Sequence, residues 1–254
     1  MSFYNIVFSP TGGTKKVSDL FTKSFCSEST QIDLSDRNKD FSAFSFHEED
    51  ICIVSVPSYG GRVPAIAVSR LQQIKGNGAK AILIVTYGNR AYEDTFAELQ
   101  DVLEDSGFLY IAAVAAIAEH SIMHQFATGR PDPQDEKQLA NFAASIHSKI
   151  KSETLPAHLK LPRNRPYREY NGVPMKPQTG KSCIQCGVCA KGCPVGAIPT
   201  DNPSKTNTEQ CISCMRCIVV CPQKARSVNK ILLTAASIKM KKTCSDYKQN
   251  ELFL

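Results

Sequence analysis

The chain has 254 residues, 42% hydrophobic and 21% charged, with 11 Cys, 14 Pro and no Trp. That size and apolar share suffice for one large domain or two ordinary ones, and exclude a wholly disordered chain or a collagen-like fibre. The net charge of +6 is unevenly spread: residues 1–150 hold 13 Lys and Arg against 18 Asp and Glu, whereas 151–254 hold 17 against 6. The longest apolar run, Phe108–Ala118, is 11 residues, too short to span a bilayer. The opening MSFYNIVFSP lacks the basic and apolar regions of a secretory signal. The expected home is therefore the cytoplasm, where thiols stay reduced and cysteines are read as ligands rather than disulfides.

Taken in chain order, apolar β-rich runs fall at Tyr4–Phe8, Gln31–Leu34, Ile51–Val56, Ala81–Thr86 and Tyr110–Ile117. Four are nearly continuous in apolar character, as strands buried on both faces of a parallel sheet are. Helical stretches lie between and after them at Lys15–Phe25, Pro64–Lys75, Glu93–Asp105 and Pro133–Lys151, with only a helical turn expected in residues 35–50. Five strands with intervening helices predict a doubly wound α/β sheet over residues 1–152. Residues 153–180 then break the pattern. Pro156, Pro162, Pro166, Pro174 and Pro177, interleaved with Lys160, Arg163, Arg165, Arg168 and Lys176, read as a semi-extended linker. Residues 181–228 hold a cysteine cluster, and 229–254 a basic helix (Asn229–Lys242, with Ile231, Ala235 and Ile238 along one side) and a loosely held tail.

The cysteine cluster is a duplication. Cys183, Cys186, Cys189 and Cys193-Pro194 recur 28 residues later as Cys211, Cys214, Cys217 and Cys221-Pro222, and the pairs Ile184/Ile212 and Ala197/Ala225 keep the same offset. Three thiolates at two-residue gaps wrap one face of a cubane, and the fourth, followed by proline, turns to the other cluster. Cys183, Cys186, Cys189 and Cys221 are thus expected to hold one 4Fe-4S cluster, and Cys211, Cys214, Cys217 and Cys193 a second. Zinc is the competing reading of CxxC pairs, but a tetrahedral ion has no use for this pattern twice over. Arg226, where the first repeat has Ile198, and Arg216 add positive charge close to the clusters, which favours their reduced forms.

The first strand runs into Ser9-Pro10-Thr11-Gly12-Gly13-Thr14 and then a helix. Consecutive backbone N–H groups and hydroxyls there, at the positive end of a helix dipole, make a phosphate cradle. The loop is neither GxGxxG nor a P-loop, and the plain alternative is a βα turn with Thr14 as N-cap.

This loop is similar to the S/T-x-T-G-x-T phosphate loop of flavodoxins. With Val56-Pro57-Ser58-Tyr59, Gly61-Arg62-Val63-Pro64, Tyr87-Gly88-Asn89-Arg90, Ala118-Glu119-His120-Ser121, Gly129-Arg130-Pro131 and the two cysteine motifs, the chain resembles flavodoxin–ferredoxin fusion proteins of the EFR type over nearly its full length. The resemblance implies strand order 2-1-3-4-5 and FMN at the switch between strands one and three. It implies a flavin site built from Ser9, Thr11, Gly12, Gly13 and Thr14 for the phosphate, and Pro57, Ser58, Tyr59, Gly60, Gly61, Tyr87, Gly88, Asn89 and Arg90 around the ring. Tyr59 or Tyr87 would lie against the flavin, Gly60 and Gly61 would approach N5, and Arg62 or Arg90 would sit near N1.

Glu119, His120 and His124 could suggest a metal pair, but no further ligand adjoins them, and a structural hydrogen-bonding role is expected for His120. Cys26, Cys52 and Cys244 read as idle thiols. No nucleic-acid module interrupts the basic segments, and an acidic redox partner suits them better. The expected function is electron transfer between FMN and two 4Fe-4S clusters, coupling one- and two-electron carriers. The alternatives are an FMN-dependent reductase of a small molecule fed through the clusters, and a docking module without FMN. No NAD(P)H-binding fingerprint or catalytic residue is assigned.

Overall fold

The computed structural model describes residues 1–152, 159–162 and 164–254. Strands β1 (Phe3–Val7), β2 (Thr30–Asp33), β3 (Ile51–Pro57), β4 (Lys80–Tyr87) and β5 (Leu109–Ile117) form a parallel sheet in the order β2-β1-β3-β4-β5. This is the flavodoxin-like doubly wound arrangement, whose switch point lies between β1 and β3. Helices α1 (Gly13–Phe25) and α4 (Pro133–Lys151) cover one face, and α2 (Ala65–Leu71) and α3 (Thr95–Asp105) the other. Side-chain alternation along β4 explains both cores: Ile82 and Ile84 meet Val17, Phe21, Leu139 and Ile146, while Leu83, Val85 and Tyr87 meet Leu71, Phe96 and Leu99. The start of α4 follows from its sequence, since Pro133 opens it and Asp132 accepts from the N–H groups of Gln134 and Asp135 in a capping box. Residues 35–50 form turns without the helical turn expected there.

The C-terminal segment departs from expectation. It is not loosely held. Strand β8 (Glu251–Phe253) pairs antiparallel with β5, giving the sheet a sixth strand. Asn250, buried, accepts from the N–H of Ile117 and donates to Asp135 and Gln138, while Tyr92 donates to Glu251. These bonds satisfy backbone and side-chain groups that the β5 edge would otherwise leave to water. Helix α7 (Lys230–Cys244) also differs: Ile231 and Ile238 are 80% and 72% exposed, and the packed side is Leu233, Ala236, Met240 and Cys244, against Met123 and Phe126. Both stripes have helical spacing, and the docking surface rather than the period selects between them.

The cysteine unit contains a two-stranded antiparallel sheet, β6 (Gln178–Thr179) and β7 (Arg226–Ser227), and two short helices, α5 (Val188–Lys191) and α6 (Arg216–Val219). The duplication extends to the backbone. Left-handed residues recur at the 28-residue offset in Gln185/Ser213, Gly187/Met215 and Gly196/Lys224. Four of these six are not glycine, so the tight cysteine loops impose φ values that side chains ordinarily avoid.

The linker lies along α3 where it is described. Leu159 and Leu161 are buried in the larger core, Arg165 and Tyr167 bond Asp101, Arg168 pairs with Glu93, and Asn164 donates to Asp94. Pro156 and Arg163 lie outside the described residues. Arg165 and Arg168 of the basic linker thus neutralise Asp101 and Glu93 of the α/β unit.

Candidate functional site

Two cavities in the cysteine unit each have four thiols in their walls. One is lined by Cys183, Cys186, Cys189 and Cys221, and the other by Cys193, Cys211, Cys214 and Cys217. Each set thus takes three cysteines from one repeat and the proline-flanked fourth from the other. The repeat symmetry carries into the sulfur contacts: the N–H of Ala197 donates to Cys193 Sγ and that of Ala225 to Cys221 Sγ, both at 3.3 Å. Among the described residues no three His, Cys, Asp or Glu side chains are grouped to hold a single metal ion. A mononuclear zinc site needs such convergence, whereas thiols spread around a cavity fit a cubane whose irons stand between them.

Each cavity also borders one arginine with an unanswered donor. Arg226, 3% exposed, lines the first, and Arg216 lines the second. The Nε of each is buried without a hydrogen-bond partner. A buried N–H left unpaired costs about 1–3 kcal/mol, and an anionic sulfur-rich group in either cavity would supply an acceptor. On both counts the residues fit iron–sulfur clusters. Burial grades the two sets: in the first Cys186 is exposed, Cys183 and Cys221 partly so and Cys189 buried, whereas in the second Cys193, Cys214 and Cys217 are buried and Cys211 is partly exposed. We call the first the outer cavity and the second the inner.

The inner cavity faces the α/β unit. Arg70, buried in α2, donates through Nη2 to the carbonyl of Pro194 at 2.6 Å and through Nη1 to that of Leu34 at 2.5 Å. Ile212 packs on the larger core, and Arg216 Nη1 donates to the carbonyl of Pro10 at 3.2 Å. Pro10 lies in the glycine loop that follows β1, so Arg216 links the wall of the inner cavity to that loop.

The loop retains room for an anion. Gly12 has φ +95, a conformation side chains rarely adopt, and a Cβ built on it would meet nothing within 4 Å. Gly12, not Thr14, is the N-cap of α1, with no side chain capping the helix. The first-turn amides of Gly13 and Thr14 therefore lack intrahelical acceptors. Ser9 Oγ accepts from the N–H of Lys15 and keeps its own proton to donate. Thr14 Oγ1 shares a 2.6 Å hydrogen bond with Thr86, which fixes it beneath the loop. Thr11 is partly exposed at the rim. These groups fit a phosphate.

The residues expected around a flavin ring divide. Pro57 ends β3 at the switch point, and Tyr59 and Arg62 pair through reciprocal backbone bonds across Gly60 and Gly61, a two-residue turn with both glycines at positive φ. Burial pushes the Tyr59 hydroxyl pKa well up, and nearby Cys214 and Tyr170 push the same way. Gly88 lets His120 approach, since a Cβ there would lie 2.7 Å from its ring. The others are committed elsewhere. Tyr87 is 6% exposed and turned into the core, edge-on to Tyr92. Ser58 Oγ accepts from Thr95. Asn89 is buried and donates to the carbonyls of Cys244 and Asp246. Arg90 forms a bidentate pair with Glu93, and Arg62 another with Glu98 while lying over the ring of Tyr167. A carboxylate thus holds each guanidinium. Tyr170 and Arg168, missed by sequence reasoning, lie against Gly60 and Gly61 and cover the hairpin. Nothing in the linker's composition distinguishes them from its other residues.

The His120 ring accepts at Nδ1 from the N–H groups of Ile122 and Met123. Burial lowers its pKa to about 4, with His124 and Arg90 adding repulsion. His124 and Glu119 bond each other, and Glu119 also accepts from Gly129, so the trio is a loop brace. Protonating His120 would put a proton on the accepting nitrogen and break two bonds. Because the folded pKa lies below the unfolded value, stability is expected to be full above pH 6.5 and to fall between about 6.5 and 4. The loss should be about 3 kcal/mol, and denaturant melts across this range should show His120→Asn nearly free of that component.

Residues 182–225 match the family model of the 4Fe-4S dicluster domain. A protein of Escherichia coli (strain K12) named for electron transport, YccM, is 44% identical over 45 residues, 18% of this chain and 12% of its own length. A component of the ion-translocating oxidoreductase complex of Methanosarcina acetivorans is 46% identical over 44 residues, 17% of each chain. The matched stretch is thus a small part of either relative. Among solved structures, the flavodoxin of Streptococcus pneumonia TIGR4 aligns with a TM-score of 0.42 and 20% identity, covering 58% of this chain and 99% of that one. No helix among the described residues is long and apolar enough to cross a membrane. The chain therefore joins an α/β unit of flavodoxin strand order to a C-terminal ferredoxin-like 4Fe-4S dicluster domain.

Proposed function

We propose that this chain transfers electrons between two 4Fe-4S clusters, one in each four-cysteine cavity, and an FMN whose phosphate rests on Ser9–Thr14. When bound, each cluster exchanges one electron and FMN one or two, which lets the chain couple single-electron and two-electron carriers. The observation that carries this reading is the position of Arg216, which lines the inner cavity and donates to the carbonyl of Pro10 in the glycine loop. Arg70 holds Pro194, next to the crossing ligand Cys193, against the α/β unit. Graded exposure of the thiols supports an order in which the outer cluster meets the external carrier and the inner cluster meets the flavin.

Lys181 and Lys224, both exposed near outer-cavity ligands, suit a cytoplasmic redox partner with an acidic face, which steers a small transient encounter. The reductase alternative needs a substrate to reach the ring. The cover of Arg168 and Tyr170 over Gly60 and Gly61 weighs against it.

Anaerobically purified protein should show about eight iron atoms and one flavin per chain, with the visible spectrum of both. Full iron with no bound or bindable FMN would leave a two-cluster carrier and remove the flavin from the proposal. Gly12→Val fills the cradle and forces a β-branched residue to φ +95. It is expected to weaken FMN binding tenfold or more, about 1.4 kcal/mol, at unchanged iron content, as read by fluorescence titration.

A further inference from the structure

We propose that Arg216 is a cation shared by the inner cluster and the phosphate loop, so that anion binding on the loop and reduction of the inner cluster oppose one another. The inference rests on the assignment of the loop and the clusters above, and adds a regulatory link between them.

Among the described residues Arg216 alone both lines the inner thiol cavity and bonds the glycine loop, through Nη1 to the carbonyl of Pro10. Its Nε is buried with no hydrogen-bond partner, so one side of the guanidinium is unanswered. Gly192 leaves it space, since a Cβ there would lie 3.4 Å from that nitrogen. The duplication shows that this charge is no requirement of cluster folding. The residue 28 positions earlier is Val188, which opens α5 as Arg216 opens α6 and is 41% exposed. The loop's own lysines are engaged: Lys15 pairs with Asp19, and Lys16 donates to the carbonyl of Pro131. Arg216 is the cation that reaches this loop from the cysteine unit.

The electrostatics then have a definite sign. An oxidised cubane with four thiolates carries a formal charge of about −2, and one electron makes it more negative. A guanidinium beside it stabilises that added charge and raises the potential. A phosphate on the loop draws on the same guanidinium, removes part of that stabilisation and lowers the potential. Linkage requires the converse by the same factor, so reduction of the inner cluster loosens phosphate. For a one-electron couple a tenfold change in affinity corresponds to 59 mV.

The test uses flavin-free protein with both clusters intact, inorganic phosphate as the probe, and a reduced viologen as one-electron donor. Anaerobic calorimetry compares phosphate affinity before and after reduction. Wild type should bind phosphate about fivefold or more weakly when reduced. Arg216→Gln should bind it more weakly in the oxidised state and bring the ratio near one, whereas Arg216→Lys, which keeps the charge, should retain part of the ratio. Equal affinity in both states of wild type, or a full ratio in Arg216→Gln, would overturn the proposal. Should Arg216→Gln fail to hold iron, the wild-type ratio and the lysine variant decide. Undetectable phosphate binding with FMN binding intact ends the coupling and spares the loop assignment, while loss of both ends both.

Discussion

Replacing Cys193 by Ala is expected to halve the iron of this protein, from about eight to about four atoms per chain, and to spare the outer cluster. The residue belongs by sequence to the first repeat, but its thiol lines the inner cavity with Cys211, Cys214 and Cys217. A pair of double variants makes the crossing measurable. Cys193→Ala with Cys211→Ala removes two ligands of one cavity and should still leave about four irons. Cys193→Ala with Cys183→Ala removes one ligand from each cavity and should leave almost none. Iron analysis and electron paramagnetic resonance of the reduced proteins read both outcomes. The opposite pattern, with the 193/183 pair retaining one cluster, would mean that each repeat ligates its own. With the inner cluster gone, the outer one is no longer linked to the flavin loop through its nearest neighbour, so electron delivery to bound FMN should slow sharply at unchanged FMN affinity.

Asp135→Ala should destabilise the fold by about 3–5 kcal/mol, because it leaves the Arg130 guanidinium buried and unpaired. The two side chains are 1% and 6% exposed and form a bidentate pair. Burial alone would raise the Asp135 pKa, but Arg130, the N–H of Asp132 and Asn250 together hold it below its ordinary value. One carboxylate thereby joins the start of α4, the loop after β5 and the strand-forming tail, since Asn250 reaches it from beside β8 and Arg130 also donates to the carbonyl of Lys248. Chemical denaturation should show the loss, and hydrogen exchange should show β8 and the end of β5 opening first. A change under about 1 kcal/mol would show that water reaches the pair and that the tail is held by its strand bonds alone.

The parts of this molecule legible in the sequence are those set by short-range spacing. Four of the five parallel strands announce themselves as apolar runs because they are buried between helices, whereas β2, at the sheet edge, exposes Thr30 and Gln31; the cysteine intervals state which thiols can share a cavity. The glycine loop is legible because only glycine takes the backbone to φ +95 at position 12. The partners of the residues after β4 were not. Tyr87, Asn89 and Arg90 sit in the loop that a flavodoxin resemblance would give to the flavin, yet their partners are Tyr92, Cys244 and Glu93. Two of these lie within a few residues, but the choice of partner depends on where the tail and linker dock.

Helix α7 and the tail carry the same lesson in apolar form. A period of 3.6 admits the stripe through Ile231 and Ile238 as readily as that through Leu233, Ala236 and Met240, and only the loop at Met123 and Phe126 chooses between them. Three residues of strand carry too little pattern to be read at all, and β8 exists because the β5 edge offers unpaired backbone.

By itself, then, the order of amino acids determined the α/β unit, the duplicated thiol sets and the glycine turn, each a matter of neighbours a few positions apart. Tertiary structure alone decided that Arg216 spans from one unit to the other, that acidic α3 absorbs the basic linker, and which thiol set lies inward. Those outcomes depend on through-space pairing between segments up to 206 residues apart, as from Arg216 to Pro10. Coulomb and hydrogen-bond energies follow distance in space and leave no period along the chain.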